Sequence, residues 1–269
     1  MLKTRILLIA GCLLVIWMIF LLPKVVVEND NNLSQNESDS TTPANTNHAA
    51  VPAKLLERIH TFRVQFQANT TDEKNAIFAD SLANLYQISG KFDSAAWFAE
   101  EAAKFFKTTE SWVKAGDQYY QAYTFALDQS KQQRLAEKSR EFYSKVLDAN
   151  PHNLDLKTKM AMTYLSSKSP MQGITMLREV LAENPKHQEA LFNMGMLSIQ
   201  SGQYERAIER LDELIKVNPE HAQGHLLLGI AWMNTGDKAK AKEQFLKVKE
   251  IDNDPAVLAT VDSYLKDLK

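Results

Sequence analysis

Gln188 to His221 reads QEALFNMGMLSIQSGQYERAIERLDELIKVNPEH, and the pattern it carries recurs at a fixed distance on both sides. Pro151, Pro185 and Pro219 are 34 residues apart. The same interval separates Ala161, Gly195 and Gly229, then Gly173, Ala207 and Ala241, then Leu177, Leu211 and Phe245. These columns share one register, so the interval is a structural repeat and not a coincidence of composition. Small residues at Gly195 and Ala207, placed on either side of a glycine turn at Gly202, describe two helices that approach closely.

Working outward, three units follow one another without gaps over 154–187, 188–221 and 222–255. The first of these starts its second helix at Ser169-Pro170, an N-cap followed by proline at the first helical position. The last turns on Gly236 as its predecessor does on Gly202. A unit over 109–153 exceeds the period by 11 residues, close to three helical turns, so both of its helices can lengthen while their buried faces stay in phase. It keeps Trp112, Ala115, Gly116 and Tyr119 in its first helix, and its extra length predicts a hairpin protruding around Tyr123 to Arg134. A shorter unit spans 76–108, with Leu82, Ala83 and Tyr86 before a turn at Gly90 and Ala95, Ala99 and Ala102 after it.

At the ends, 52–75 reads as an N-terminal helix opened by Pro52, and 256–269 as a capping helix with Val257, Leu258, Val261, Leu265 and Leu268 at helical spacing. Upstream, Ile6 to Leu22 is an uncharged apolar run long enough to span a bilayer as a helix, extendable to Val27. Lys3 and Arg5 precede it and Glu28, Asp30, Glu37 and Asp39 follow it. The positive-inside bias therefore places residues 1–5 in the cytoplasm and the repeats outside it, periplasmic in a Gram-negative cell. Ile9-Ala10-Gly11-Cys12 looks like a lipobox, but ten apolar residues follow Cys12, whereas a secretory apolar region precedes its cleavage site. An uncleaved anchor fits better than a lipoprotein. Residues 28–51 are rich in Asn, Ser and Thr and read as a disordered tether.

A 34-residue period with a small residue in each helix and an Asn-Pro before the next unit resembles the tetratricopeptide repeat. The resemblance covers 76–255 and implies an all-α, right-handed superhelical solenoid of helix-turn-helix units that binds partner proteins or peptides without chemistry of its own. In that family the first helix of each unit lines a concave groove. Carried onto this sequence, the groove positions are Asp155, Thr158, Met162, Leu165 and Ser166, then Glu189, Phe192, Met196, Ile199 and Gln200, then Gln223, Leu226, Ile230, Met233 and Asn234. Such a wall is apolar and Met-rich, suited to a helix or an extended segment of a partner. Thr158, Met162 and Phe192 stand where family members that clamp a terminal carboxylate place polar groups, so that ligand is not expected. A second reading stays open, in which these side chains fill the groove from within and the array self-associates or scaffolds an envelope complex.

Other functions find little support. The net charge is −2 and the part from Pro52 onward is nearly neutral, which offers no nucleic-acid surface. The single cysteine, Cys12, leaves the repeats without a disulfide or a thiolate metal site. No phosphate loop, HExxH or nucleophile elbow is present, and the sequence implies neither a cofactor nor catalysis. His187 and His221 occupy equivalent places with His225 one turn on, but no Asp, Glu or Cys completes a metal cluster in sequence, and they read as helix-start polar groups.

Overall fold

The computed structural model describes residues 51–68 and 71–268. The predicted membrane span at 6–22, and the tether as far as Ala50, lie outside the described residues. Among those described there are twelve α-helices, none long and apolar enough to cross a membrane. A lone helix, α1 (Ala53–Gln67), is followed by five helical pairs and a closing helix. The pairs are α2 (Asp72–Ile88) with α3 (Phe92–Phe106), α4 (Thr109–Phe125) with α5 (Gln129–Ala149), α6 (Leu154–Leu165) with α7 (Pro170–Glu183), α8 (Gln188–Gln200) with α9 (Tyr204–Val217), and α10 (Ala222–Asn234) with α11 (Lys238–Ile251). The last helix is α12 (Pro255–Asp267).

Local chemistry explains these boundaries. Gly90, Gly202 and Gly236 adopt positive φ, between 72° and 89°, directly after α2, α8 and α10. At each, the next amide reaches back to close the helix: Lys91 to the Tyr86 carbonyl, Gln203 to Ser198 and Asp237 to Trp232. Side chains that accept from the first-turn amides open seven of the described helices, namely Thr108, Asp128, Asn153, His187, His221, Asp237 and Asp254. Pro170 sits at the first position of α7, although the Ser169 hydroxyl makes no cap bond.

Two boundaries differ from the sequence reading. The first helix stops at Gln67 and does not run to residue 75, and α2 begins four residues before Ala76. Its first turn carries Asp72 and Glu73, whose charges favour a helix N-terminus there. The long second pair, with 17 and 21 residues in its helices, is also tied down where a protruding hairpin was expected. Phe125 stacks on Phe92 of the preceding pair at 4.4 Å, Lys131 pairs with Asp93, and the Tyr123 hydroxyl bonds Ser166 Oγ at 2.8 Å and the Met162 carbonyl at 3.1 Å. The hairpin end is thereby tied to neighbours on both sides, while Phe125 and Leu127 keep exposed surface.

Consecutive helices pack on one another throughout, and α7 forms the loosest seam with α8. First helices also touch first helices of the next pair, α4 with α6, α6 with α8 and α8 with α10. This stacking makes one continuous face from the first helices. Within pairs, close approach rests on the small columns. A Cβ on Gly195 would stand 2.6 Å from Leu211, and one on Gly229 2.6 Å from the Phe245 ring. Gly173 is tighter still, since its Cβ would meet the backbone carbonyl oxygen of Ala161 at 2.4 Å.

Candidate functional site

The first-helix face is knitted by polar contacts between successive pairs. Lys114 Nζ lies 2.5 Å from Asp80 Oδ1, Gln87 donates to Gln121 at 3.0 Å, and Gln118 donates to Gln87 at 2.8 Å. Further on, Asp117 Oδ1 accepts from both Tyr143 Oη at 2.7 Å and Lys159 Nζ at 2.8 Å. Burial pushes the Tyr143 hydroxyl pKa up, and the Asp117 charge pushes it further, so it remains a donor. Burial also raises Tyr120, which faces Glu189, Tyr123 and Asp117. Glu189 itself is raised by burial, against the opposing charges of Lys159 and His187. The face over α4, α6 and the start of α8 thus carries a polar network of partly buried groups beside the apolar, Met-rich positions expected from the repeat.

The predicted groove residues divide by depth. Thr158 is 0% exposed and cannot line an open wall; its Oγ1 has no hydrogen-bond partner. Replacing it by the isosteric valine removes that orphaned hydroxyl, and Thr158→Val is expected to raise stability by about 1 kcal/mol in urea melts. Leu165 turns toward Gly173 of its own pair, leaving 3.2 Å to the Cβ that glycine lacks. Met162, Phe192 and Ile199 are half-buried against the core around Leu177, Leu191 and Leu211, with Phe192 stacked 5.3 Å from the His221 ring. Leu226, Ile230 and Met233 pack on the cluster of Phe245, Val248 and Val261, to which α12 adds Val257, Tyr264 and Leu265. These three are half-buried, with part of their surface taken up by the array itself. Met196 is half-buried and belongs to none of these clusters, Glu189 is half-buried, and Gln200 and Gln223 are exposed.

The histidines have structural work. His187 Nδ1 accepts from the Ala190 amide at 3.2 Å, and its Nε2 lies 3.0 Å from Asp155 Oδ1. His221 Nδ1 accepts from the Gly224 amide at 2.9 Å, and His225 bonds Gln244 and the Pro219 carbonyl. His187 and His221 are thus N-caps, and His187 is buried, not solvated. Among the described residues no group of His, Cys, Asp and Glu could hold a metal ion.

A cleft of about 630 Å³ opens elsewhere, along the loose seam where α7 and α9 flank the back of α8. Of the residues assigned to the groove only Gln200 lines it.

Residues 170–228 and 198–261 match the tetratricopeptide repeat family model. The fold is that of a tetratricopeptide-repeat array. A tetratricopeptide repeat protein from Parabacteroides merdae superposes with a TM-score of 0.59 at 16% identity, over 80% of this chain and 82% of that one. An RS-1 MamA double mutant superposes with a TM-score of 0.50 at 20% identity, over 65% and 93% of the two chains. YrrB, described as a tetratricopeptide repeat protein with an unusual peptide-binding site, gives 0.46 at 19% identity over 76% and 99%. At these identities the likeness is one of fold. No curated protein matches the sequence.

Proposed function

We propose that this tetratricopeptide-repeat chain is a membrane-anchored adaptor that holds a protein or peptide partner on its first-helix face and performs no chemistry of its own. The observation that carries the reading is the repeat fold itself, a stack of helices whose exposed faces serve as interaction surfaces. Half-open apolar positions lie on α8, at Phe192 and Met196, between the polar network before them and the cluster that α12 completes after them. A partner there would combine an apolar contact with the carboxylate of Glu189. The apolar run Ile6–Leu22, flanked by bases before and acids after, supports an anchor with the array outside the cytoplasm. Tethering would raise the effective concentration of the array near envelope partners.

Met196 supplies the cleaner test, because Phe192 also supports the core and its loss would disturb folding. A photo-crosslinking residue at 196 in intact cells is expected to capture one partner reproducibly. Met196→Glu is expected to remove that partner from pull-downs while the helical signal and melting temperature stay near wild type. An unchanged pull-down moves the site off this face.

The second reading is a self-associating or scaffolding subunit with the groove filled internally. It is favoured in the last pair by the packing of Leu226, Ile230 and Met233 beneath the cluster that α12 completes. Crosslinks from position 196 to a second copy of the same chain would support it.

A further inference from the structure

The repeat register exposes a gap in one aromatic column. Tyr164, Ser198 and Trp232 stand 34 residues apart, at the same place on α6, α8 and α10. Both aromatic members lie beneath a cation: the Arg140 guanidinium is 4.6 Å from the Tyr164 ring centre, and Lys240 Nζ 4.0 Å from that of Trp232, with Tyr164 bordering a smaller cleft of about 300 Å³. At Ser198, which is 8% exposed, the hydroxyl turns back to the Met194 carbonyl at 2.8 Å and no ring occupies the seam. The cleft of about 630 Å³ lies at that place, with Ser198 in its lining.

The neighbouring positions have changed in the same sense. Arg140 corresponds one repeat on to Ile174, and Glu137 to Met171, so two positions of the α7 wall are apolar where their counterparts on α5 are charged. Met171 is 60% exposed. Arg206, the counterpart of Lys240, retains the cation that covers the ring in the next pair. Arg178 and Arg210 join it in the lining, with Glu209 the one acid there, and none of the three arginines makes an ion pair among the described residues. Arg206 donates to Gln203 at 2.6 Å, a neutral partner.

We propose that the cleft between α7 and α9 is a second docking site, for a partner segment that inserts one aromatic side chain flanked by acidic residues. The ring takes the place that Tyr164 and Trp232 occupy in the adjacent seams, against Met194 and Leu197 and under Arg206. Flanking carboxylates meet Arg178 and Arg210. The volume falls within the range of sites that bury a compact ligand, with room beyond a single ring. This surface lies behind α8 and is independent of the first-helix reading: Met196→Glu leaves it intact, so the two can fail separately.

The test titrates the full-length chain with a fluorescein-labelled acidic pentapeptide carrying a central tryptophan, against a central-alanine peptide and a lysine-flanked one. Binding is expected to favour the acidic tryptophan peptide by at least about tenfold over either control. Ser198→Trp, which supplies the missing ring, is expected to abolish binding while raising the melting temperature. Arg178→Glu combined with Arg210→Glu, both at exposed positions, weakens binding and flattens its salt dependence. Met171→Glu gives the same loss of binding from the exposed wall, should the indole at 198 prove too large for folding. Equal binding of the three peptides, undiminished binding by both Ser198→Trp and Met171→Glu, or no binding at millimolar peptide overturns the proposal. So does a dimer that Ser198→Trp dissociates, which would make the occupant a second copy.

Discussion

Phe245→Ala is expected to lower the stability of the array by about 3–5 kcal/mol, the range for removing a fully buried aromatic ring. Its ring is 0% exposed, lies over Gly229 and stacks 5.1 Å from Tyr264 of the closing helix. Because Gly229 has no side chain to move into the space, the cavity cannot collapse from that side. Relaxation would have to come from α12, which depends on the same ring for its seat. In a solenoid each unit contacts only its neighbours, so the damage should be local. Hydrogen exchange is expected to show fast amides over α10–α12 and near-normal protection over α2–α4. Uniform loss of protection would instead show that the array unfolds as one cooperative block.

Gly173→Ala should be the most costly of the small-residue substitutions, at about 1–3 kcal/mol of overpacking even though alanine is the better helix former. The added methyl meets the carbonyl oxygen of Ala161 at 2.4 Å, and backbone held in a helix cannot step aside. Gly195→Ala presses instead on the side chain of Leu211, which can shift on its own bonds. The ordering is the decisive observation in denaturant melts of the two variants. If Gly195→Ala costs as much, backbone contact is not what distinguishes the α6–α7 pair. Only the Gly173 variant should also loosen the α7 wall of the cleft.

The same contrast shows what a repeat pattern conveys. Gly173 stands in a column with Ala207 and Ala241, and the column indicates that the place is small without indicating that one member touches backbone. Proline, glycine and alanine spacings reveal helix pairs because turns and close approaches demand those residues locally. Groove positions are less legible by family place, because exposure depends on what stacks next. Thr158 is sealed by its neighbours, and Leu226, Ile230 and Met233 lie on a cluster that the closing helix completes. The polar wall at Asp117, Lys159 and Tyr143 was hidden for a similar reason, since its members come from different pairs and meet only on stacking. His187 and His221 are the helix-start groups expected, and the burial of His187 follows because a ring that caps a helix with Nδ1 is satisfied without water.

The cleft could have been sought in the sequence, because Ser198 interrupts a column of aromatics that the period makes visible. That interruption says only that a ring is missing. Whether the space collapses, is filled by Met194 and Leu197, or stays open depends on how closely α7 and α9 approach. By itself, then, the sequence determined the repeat, the pairing of helices and the turns, all of which rest on local backbone demands repeated at one interval. Tertiary structure alone decided which surfaces remain open, because burial is set by neighbours contributed from a repeat away.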